Sequence, residues 1–145
     1  MIGVQKVEVK VPKGEVPERG ARKRAVARVW IWQKNNPNPT HEIFINRIPY
    51  DKYFQDKYLQ IVVRRPFELT QRTEKYVVFA TVEGGGPSAQ AQAVAHGIAK
   101  ALVKKEPDLR KILKLHGLLT RDPREVERKK YGRRKARKTQ QWKKR

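Results

Sequence analysis

The chain has 145 residues, with 35 Lys+Arg against 14 Asp+Glu for a formal net charge of +21, and no cysteine. That is room for one domain plus appendages, and it excludes disulfide frameworks, thiolate metal sites and thiol nucleophiles. Apolar runs are too short for a membrane span, and a sequence pI near 10.6 implies a polyanionic partner, nucleic acid first and no membrane.

Residues 1–20 alternate Lys6, Lys10 and Lys13 with Glu8, Glu15 and Glu18 and lack an apolar h-region, so composition marks no targeting segment there; either none is needed or it has been removed. Val7, Val9 and Val11 alternate with charged residues, which predicts a strand with one wet face. Residues 25–32 (AVARVWIW) are rich in β-formers. Turn residues Asn35, Asn36, Pro37, Asn38 and Pro39 follow, then Glu42-Ile43-Phe44-Ile45-Asn46, a pattern that predicts strand, long hairpin turn, strand.

Pro49 followed by Tyr50, Tyr53 and Phe54 predicts a short helix, whereas residues 58–63 form an apolar run whose type the pattern leaves open. Residues 76–82 are apolar on both faces, the mark of a central strand. That strand runs into Gly84-Gly85-Gly86-Pro87-Ser88, after which Ala91, Val94, Ala95, Ile98 and Leu102 recur at helical spacing. Pro87 or Ser88 opens this helix, Ser88 being able to cap it, and Pro107 ends it. A second helix is expected from Asp108, as N-cap, through Leu109, Ile112 and Leu113 to His116, with Gly117 as its stop.

Charge divides the chain. Residues 128–145 hold 11 basic residues and no acidic one, so they cannot supply a core face and form a solvated or ligand-wrapped tail. The remaining 24 basic and 14 acidic residues (24 − 14 = +10) lie in residues 1–127, which have ordinary hydrophobic periodicity and form the globule. Arg22, Lys23, Arg24 and Arg28 make one basic cluster, while Arg121, Arg124, Arg128, Lys129 and Lys130 make another, and the two could flank one face. Beyond them come Arg133, Arg134, Lys135, Arg137 and Lys138, then Lys143, Lys144 and Arg145. Such a run repels itself when free and orders where phosphates neutralise it, released counterions supplying free energy. Gly132 permits a bend, and Tyr131 and Trp142 can stack on unpaired bases.

Other sites are weaker. Gly84, Gly85 and Gly86 before a helix invite a phosphate-loop reading, but neither Gly-Lys-Ser/Thr nor a dinucleotide glycine spacing is present. A structural turn or a backbone phosphate of nucleic acid remains. His41, His96 and His116 lack metal-ligand spacing and read as core-edge or surface residues. Glu83, Asp108, Asp122, Glu125 and Glu127 sit amid Arg and Lys and read as charge partners, so no catalytic residue, metal or cofactor is expected.

The ordered strings Arg22-Lys23-Arg24-Ala25-Val26-Ala27-Arg28-Val29, Asn46 with Tyr53-Phe54, Gly84-Gly85-Gly86-x-Ser88-x-Gln90, His96-Gly97-Ile98-Ala99-x-Ala101-Leu102 and Leu119-Thr120-Arg121-Asp122-x-Arg124-x-Val126-Glu127-Arg128-Lys129-Lys130-x-Gly132 resemble the universal S-nine family of the small ribosomal subunit. Lys135-Ala136-Arg137 and the terminal Lys144-Arg145 belong to the same resemblance, which covers about residues 20–145. It implies an α+β fold like the second domain of the fifth small-subunit protein, with a left-handed βαβ crossover, and a long basic C-terminal tail. Three parts are implied: an N-terminal extension over residues 1–19, an α+β RNA-binding globule over 20–127 and the tail over 128–145.

The implied function is that of a non-enzymatic constituent of the small-subunit head. The 3′ major domain of ribosomal RNA is its ligand, at Arg22, Lys23, Arg24, Arg28, Gly84, Gly85, Gly86, Arg121, Arg124, Arg128, Lys129, Lys130, Arg133, Arg134, Lys135, Arg137 and Lys138. Lys143, Lys144 and Arg145 would reach the anticodon stem-loop of P-site transfer RNA, and head proteins would be neighbours. Asn36-Pro37-Asn38-Pro39 stands where bacterial members have a Gly-x-Gly turn, and Trp142-Lys143-Lys144-Arg145 looks like mitochondrial members, which leans localisation toward a mitochondrial rather than a bacterial ribosome. Charge alone supports a free DNA-compacting or single-strand-binding protein equally well, and an enzyme acting on RNA is a third reading.

Overall fold

Along β2 (Ala25–Gln33), Ala25, Ala27, Val29 and Ile31 are buried while Val26, Arg28, Trp30 and Trp32 alternate with them on the other face. This period-2 pattern makes β2 an inner strand, one face under helices and the other aromatic and basic. The computed structural model describes residues 6–35, 42–73 and 75–144. Its sheet is mixed, in the order β1-β2-β5-β3-β4, with β1 at Glu18–Arg22, β3 at Glu42–Ile45, β4 at Ile48–Pro49 and β5 at Tyr76–Glu83. The helices are α1 (Tyr50–Tyr53), α2 (Lys57–Thr70), α3 (Pro87–Lys105) and α4 (Arg110–Leu115).

The central strand expected at residues 76–82 is β5, paired antiparallel to β2 and parallel to β3. That pairing overturns the expected hairpin of residues 25–32 with 42–46: β5 lies between β2 and β3, and all of the expected turn but Asn35 lies outside the described residues. Parallel pairing needs a long connection, and α2 supplies it, settling residues 58–63 as helix. Asp56 caps α2 by accepting from the Tyr58 N–H at 2.9 Å, and Gln71 ends it in the left-handed conformation.

Two other expectations fail for want of a partner or a cap. Residues 6–17 belong to no strand; Val7 N–H donates to Arg47 O at 2.8 Å, but β4 is only two residues long and offers no continuing ladder. Asp108 does not cap a helix either, because Pro107–Leu109 is a 3₁₀ turn and α4 starts after Leu109. Pro87 does open α3, yet Gly86 is its N-cap with no side-chain cap hydrogen bond, so the expected Ser88 cap does not form. Gly117, at φ +70°, closes α4 as expected, its N–H reaching Lys114 O.

Alanine and glycine let α3 lie close on the sheet. A Cβ on Gly20 of β1 would stand 1.9 Å from Ala93 O, and one on Gly97 would stand 2.5 Å from Val29 Cγ2. The core that results gathers Val29, Ile45, Phe54, Val63, Val94, Ile98 and Leu102, and each large aliphatic side chain contributes about 1.5–3 kcal/mol of burial free energy.

Candidate nucleic-acid interface

One end of the globule gathers three segments that sequence alone keeps apart. Arg22 pairs with Ala25, so Lys23 and Arg24 form a two-residue turn, Lys23 taking φ +50°. Against this turn lies the glycine loop: a Cβ on Gly84 would approach Arg24 O to 2.6 Å, and one on Gly85 would meet the Ala25 backbone N at 3.0 Å. Both glycines have positive φ, so close approach and backbone conformation together account for Gly84 and Gly85. Gly86 faces open space.

The loop is braced from below. Asn46, at φ +51° in the β3–β4 turn, carries β3–β5 pairing one step further through its side chain: Nδ2 donates to Val82 O at 3.2 Å and Oδ1 accepts from Val82 N–H at 3.0 Å. Tyr53 Oη donates to Gln90 Oε1 at 2.9 Å, and Gln90 Nε2 donates to Gly84 O at 3.0 Å. Asn46, Tyr53, Gln90 and the glycine loop, distant motifs in the sequence, are thus one bracing system.

From the other side comes the segment following α4. Arg22 Nη1 donates to Arg124 O at 2.8 Å and Nη2 stands 3.5 Å from Asp122, while Arg24 is 3.5 Å from Glu125. The two basic clusters therefore meet at Arg22, Arg24, Arg121 and Arg124, with Asp122 and Glu125 between them as the charge partners expected. Arg124, through its guanidinium first and its backbone N–H second, holds the Asp122 carboxyl far below the usual carboxylate range. Arg22 differs from its neighbours: its side chain is 14% exposed, against 84% for Arg24 and 82% for Arg124. Arg28 is exposed on the open face of β2, away from that junction, beside the Trp30–Phe79 ring pair.

The tail has its own order. Glu127 pairs with Lys130 and with Arg137, which hold its carboxyl at about 2, and Arg133 bridges to Thr139, so residues 127–139 close into a loop with Tyr131 almost fully exposed. Among the described residues, Arg128, Lys129, Arg134, Lys135, Lys138, Lys143 and Lys144 form no ion pair. Arg145 and His41 lie outside the described residues. His116 is exposed at the end of α4, and His96 is a core-edge residue between β1 and Leu119.

Sequence reasoning missed Gln92 and His96 as partners of β1, and Glu106, which accepts from Arg72, Lys75 and Tyr76. Gln92 and His96 share a face of α3 four residues apart, but nothing in their types announces what they hold. Residues 20–145 match the family model described as Ribosomal protein S9/S16. The chain belongs to the ribosomal protein S9/S16 family, whose members are structural constituents of the small ribosomal subunit.

Proposed function

We propose that this protein binds the 3′ major domain of small-subunit ribosomal RNA in the head of the subunit, and that its tail threads between RNA helices to end at the anticodon stem-loop of P-site transfer RNA. The observation that carries the reading is the tail itself: 11 cations without an acidic residue in 18 positions, on a chain whose family is ribosomal. Lys23, Arg24, Arg28, Arg121 and Arg124 bind phosphates at the globule, as do Arg128, Lys129, Lys130, Arg133, Arg134, Lys135, Arg137 and Lys138 along the tail. Arginine forks two phosphate oxygens, and lysine acts as a point charge. Gly86, open to solvent at the head of α3, offers backbone N–H to a phosphate. Lys143, Lys144 and Arg145 take the transfer RNA contact.

The same reading gives the α2 connection from β3 to β5 a left-handed sense, as in the second domain of the fifth small-subunit protein, and places the chain in a mitochondrial ribosome with other head proteins as neighbours. Sedimentation of a native lysate, fractionated by compartment and run with and without ribonuclease, tests it. Co-migration with the small subunit that ribonuclease abolishes supports it, and a chain that remains at the top of the gradient or tracks with DNA supports the free nucleic-acid binder. Subunits lacking residues 143–145 are expected to assemble and to hold P-site transfer RNA less tightly.

A further inference from the structure

We infer that Arg22 and His96 moor the root of the basic tail, residues 119–124, to the globule, and that Arg22 is a positioning residue rather than a phosphate ligand. The geometry is a set of fixed points along one short segment. His96 Nδ1 accepts from the Ala21 N–H at 3.3 Å, a donor on the sheet-edge strand β1. A backbone N–H can only donate, so the ring proton is on Nε2, which then donates to Leu119 O at 3.2 Å. Three residues further on, Arg22 takes over, its Nη1 donating to Arg124 O at 2.8 Å and its Nη2 standing 3.5 Å from the Asp122 carboxylate. Its third guanidinium nitrogen, Nε, donates to Gln92 Oε1 at 2.8 Å.

Each of the three guanidinium nitrogens of Arg22 thus faces a partner within this chain, and the side chain is 14% exposed. A phosphate approaching it would compete with the Asp122 carboxylate and the Arg124 carbonyl. Residues 116–132 contain no helix or strand to hold themselves; Leu118 and Leu119 pack against the core, and beyond them Arg22 and His96, with the exposed Arg24–Glu125 pair, attach the segment that carries Arg121 and Arg124 to the globule. A segment held in place before binding avoids the ordering cost that a free one meets when RNA engages it.

The inference rests on the RNA-binding reading above, and its test separates the two. Full-length wild type, Arg22→Lys, Arg128→Ala and Asp122→Asn are compared for binding to a transcript of the 3′ major domain across a salt series, and for amide exchange without RNA. Mooring predicts that Arg22→Lys, which keeps the charge and loses the fork, weakens binding about tenfold with the salt slope unchanged, because the loss is in ordering and not in phosphate contacts. Asp122→Asn is expected to weaken binding too, although it removes a negative charge, and both variants exchange faster over residues 119–125. Arg128→Ala, which removes an exposed cation with no ion pair among the described residues, is expected to reduce the slope by about one unit, as a phosphate contact does, with exchange over residues 119–125 unchanged. Tighter binding by Asp122→Asn, wild-type behaviour of Arg22→Lys, or unchanged exchange in both variants would overturn the mooring. A wild-type chain with no preference for this transcript over duplex DNA would overturn the RNA reading, and the exchange measurement would still decide the mooring.

Discussion

The globule and the tail carry nearly equal net charge, about half the total each, but they hold it differently. In the globule cations lie against carboxylates: Lys100 and Lys104 on Glu18, Lys105 on Glu15, Arg72 and Lys75 on Glu106, Arg22 on Asp122. Beyond residue 127 no carboxylate side chain follows, and among the described residues Glu127 pairs with Lys130 and Arg137. A cation paired and largely buried within the protein, as Arg22 is, positions structure, whereas an exposed one, even beside a surface carboxylate, is available to a phosphate. Charge count alone therefore overstates the RNA-facing surface of the globule and describes the tail well.

Deleting residues 128–145 should show the largest effect. Affinity for the 3′ major-domain transcript is expected to fall on the order of 10³-fold at low salt, with a much shallower salt dependence, while globule stability changes by less than about 0.5 kcal/mol. Filter binding across a salt series and urea denaturation of the same preparation measure the two halves. A truncated protein that keeps its affinity would erase the contrast between the regions, and one that unfolds would make the tail part of the core.

Next in size is a change on the globule side of the contrast. Gly20→Val puts a branched side chain where even one Cβ would stand 1.9 Å from Ala93 O. Since the atoms it would meet, Ala93 O and Gly97 N, belong to the α3 backbone and cannot swing away, β1 must lift from α3, at a cost of about 3 kcal/mol in urea denaturation. Because Ala21 and Arg22 of β1 hold the tail root, RNA binding by the folded variant should weaken as it does in Arg22→Lys, and wild-type affinity would separate the root from β1.

The same contrast explains what could be read from sequence. β5 and α3 were legible because their periodicity is uninterrupted, in Val78-Ala80-Val82 and in Val94-Ile98-Leu102. β1 was not: Glu18-Arg19-Gly20-Ala21-Arg22 contains no β-branched residue, and it forms a strand because Gly20 alone fits beneath α3. β3 was found but mispaired, since alternation at Ile43 and Ile45 marks a buried face without naming the neighbour, and the partner lies beyond a helix that contains Pro66. At the interface, clustering of the basic strings and the roles of Asp122, Glu125 and Glu127 were readable from charge. That Arg22 points inward while Arg24 points out was not, for both are arginine beside the same turn and only the strand pairing separates them.

A smaller effect is expected at Glu106, which is 20% exposed and ties the end of α3 to the start of β5. Hydrogen bonds from Lys75, Tyr76 and Arg72, in that order of weight, hold its carboxyl at about 2 rather than 4.5. A carboxylate depressed by folding stabilises the fold above its unfolded value and loses that contribution as pH falls toward its folded one. Glu106→Gln should therefore cost about 1–2 kcal/mol at pH 7, and the gap to wild type should close between about pH 4.5 and 2, followed by urea denaturation at each pH. A gap that persists at low pH would mean the site acts by packing, not charge.

The smallest effect concerns the junction between the two regions. Burial lowers the His96 pKa from its ordinary 6.5, with Lys100 on α3 and Arg121 in the following segment pushing the same way and the bonds to Leu119 and Ala21 opposing. Arg19 of β1 lines the same hollow and adds to the positive surroundings. A base depressed by folding stabilises the fold above its unfolded pKa, and the contribution is lost as pH falls below 6.5 through the lower folded value. Protonation would also place a second N–H on Nδ1, facing the Ala21 N–H that it now accepts, so the attachment of β1 to Leu119 should loosen first. Because the ring is half-buried and partly screened, the expected loss of protection at Ala21 and residues 119–125 between pH 7.5 and 5.5 is below about 1 kcal/mol. Amide exchange corrected for the intrinsic pH dependence reads it, with residues in β5 as the internal reference. Equal protection at both pH values in wild type would mean that Arg22 alone sets where the tail leaves the globule.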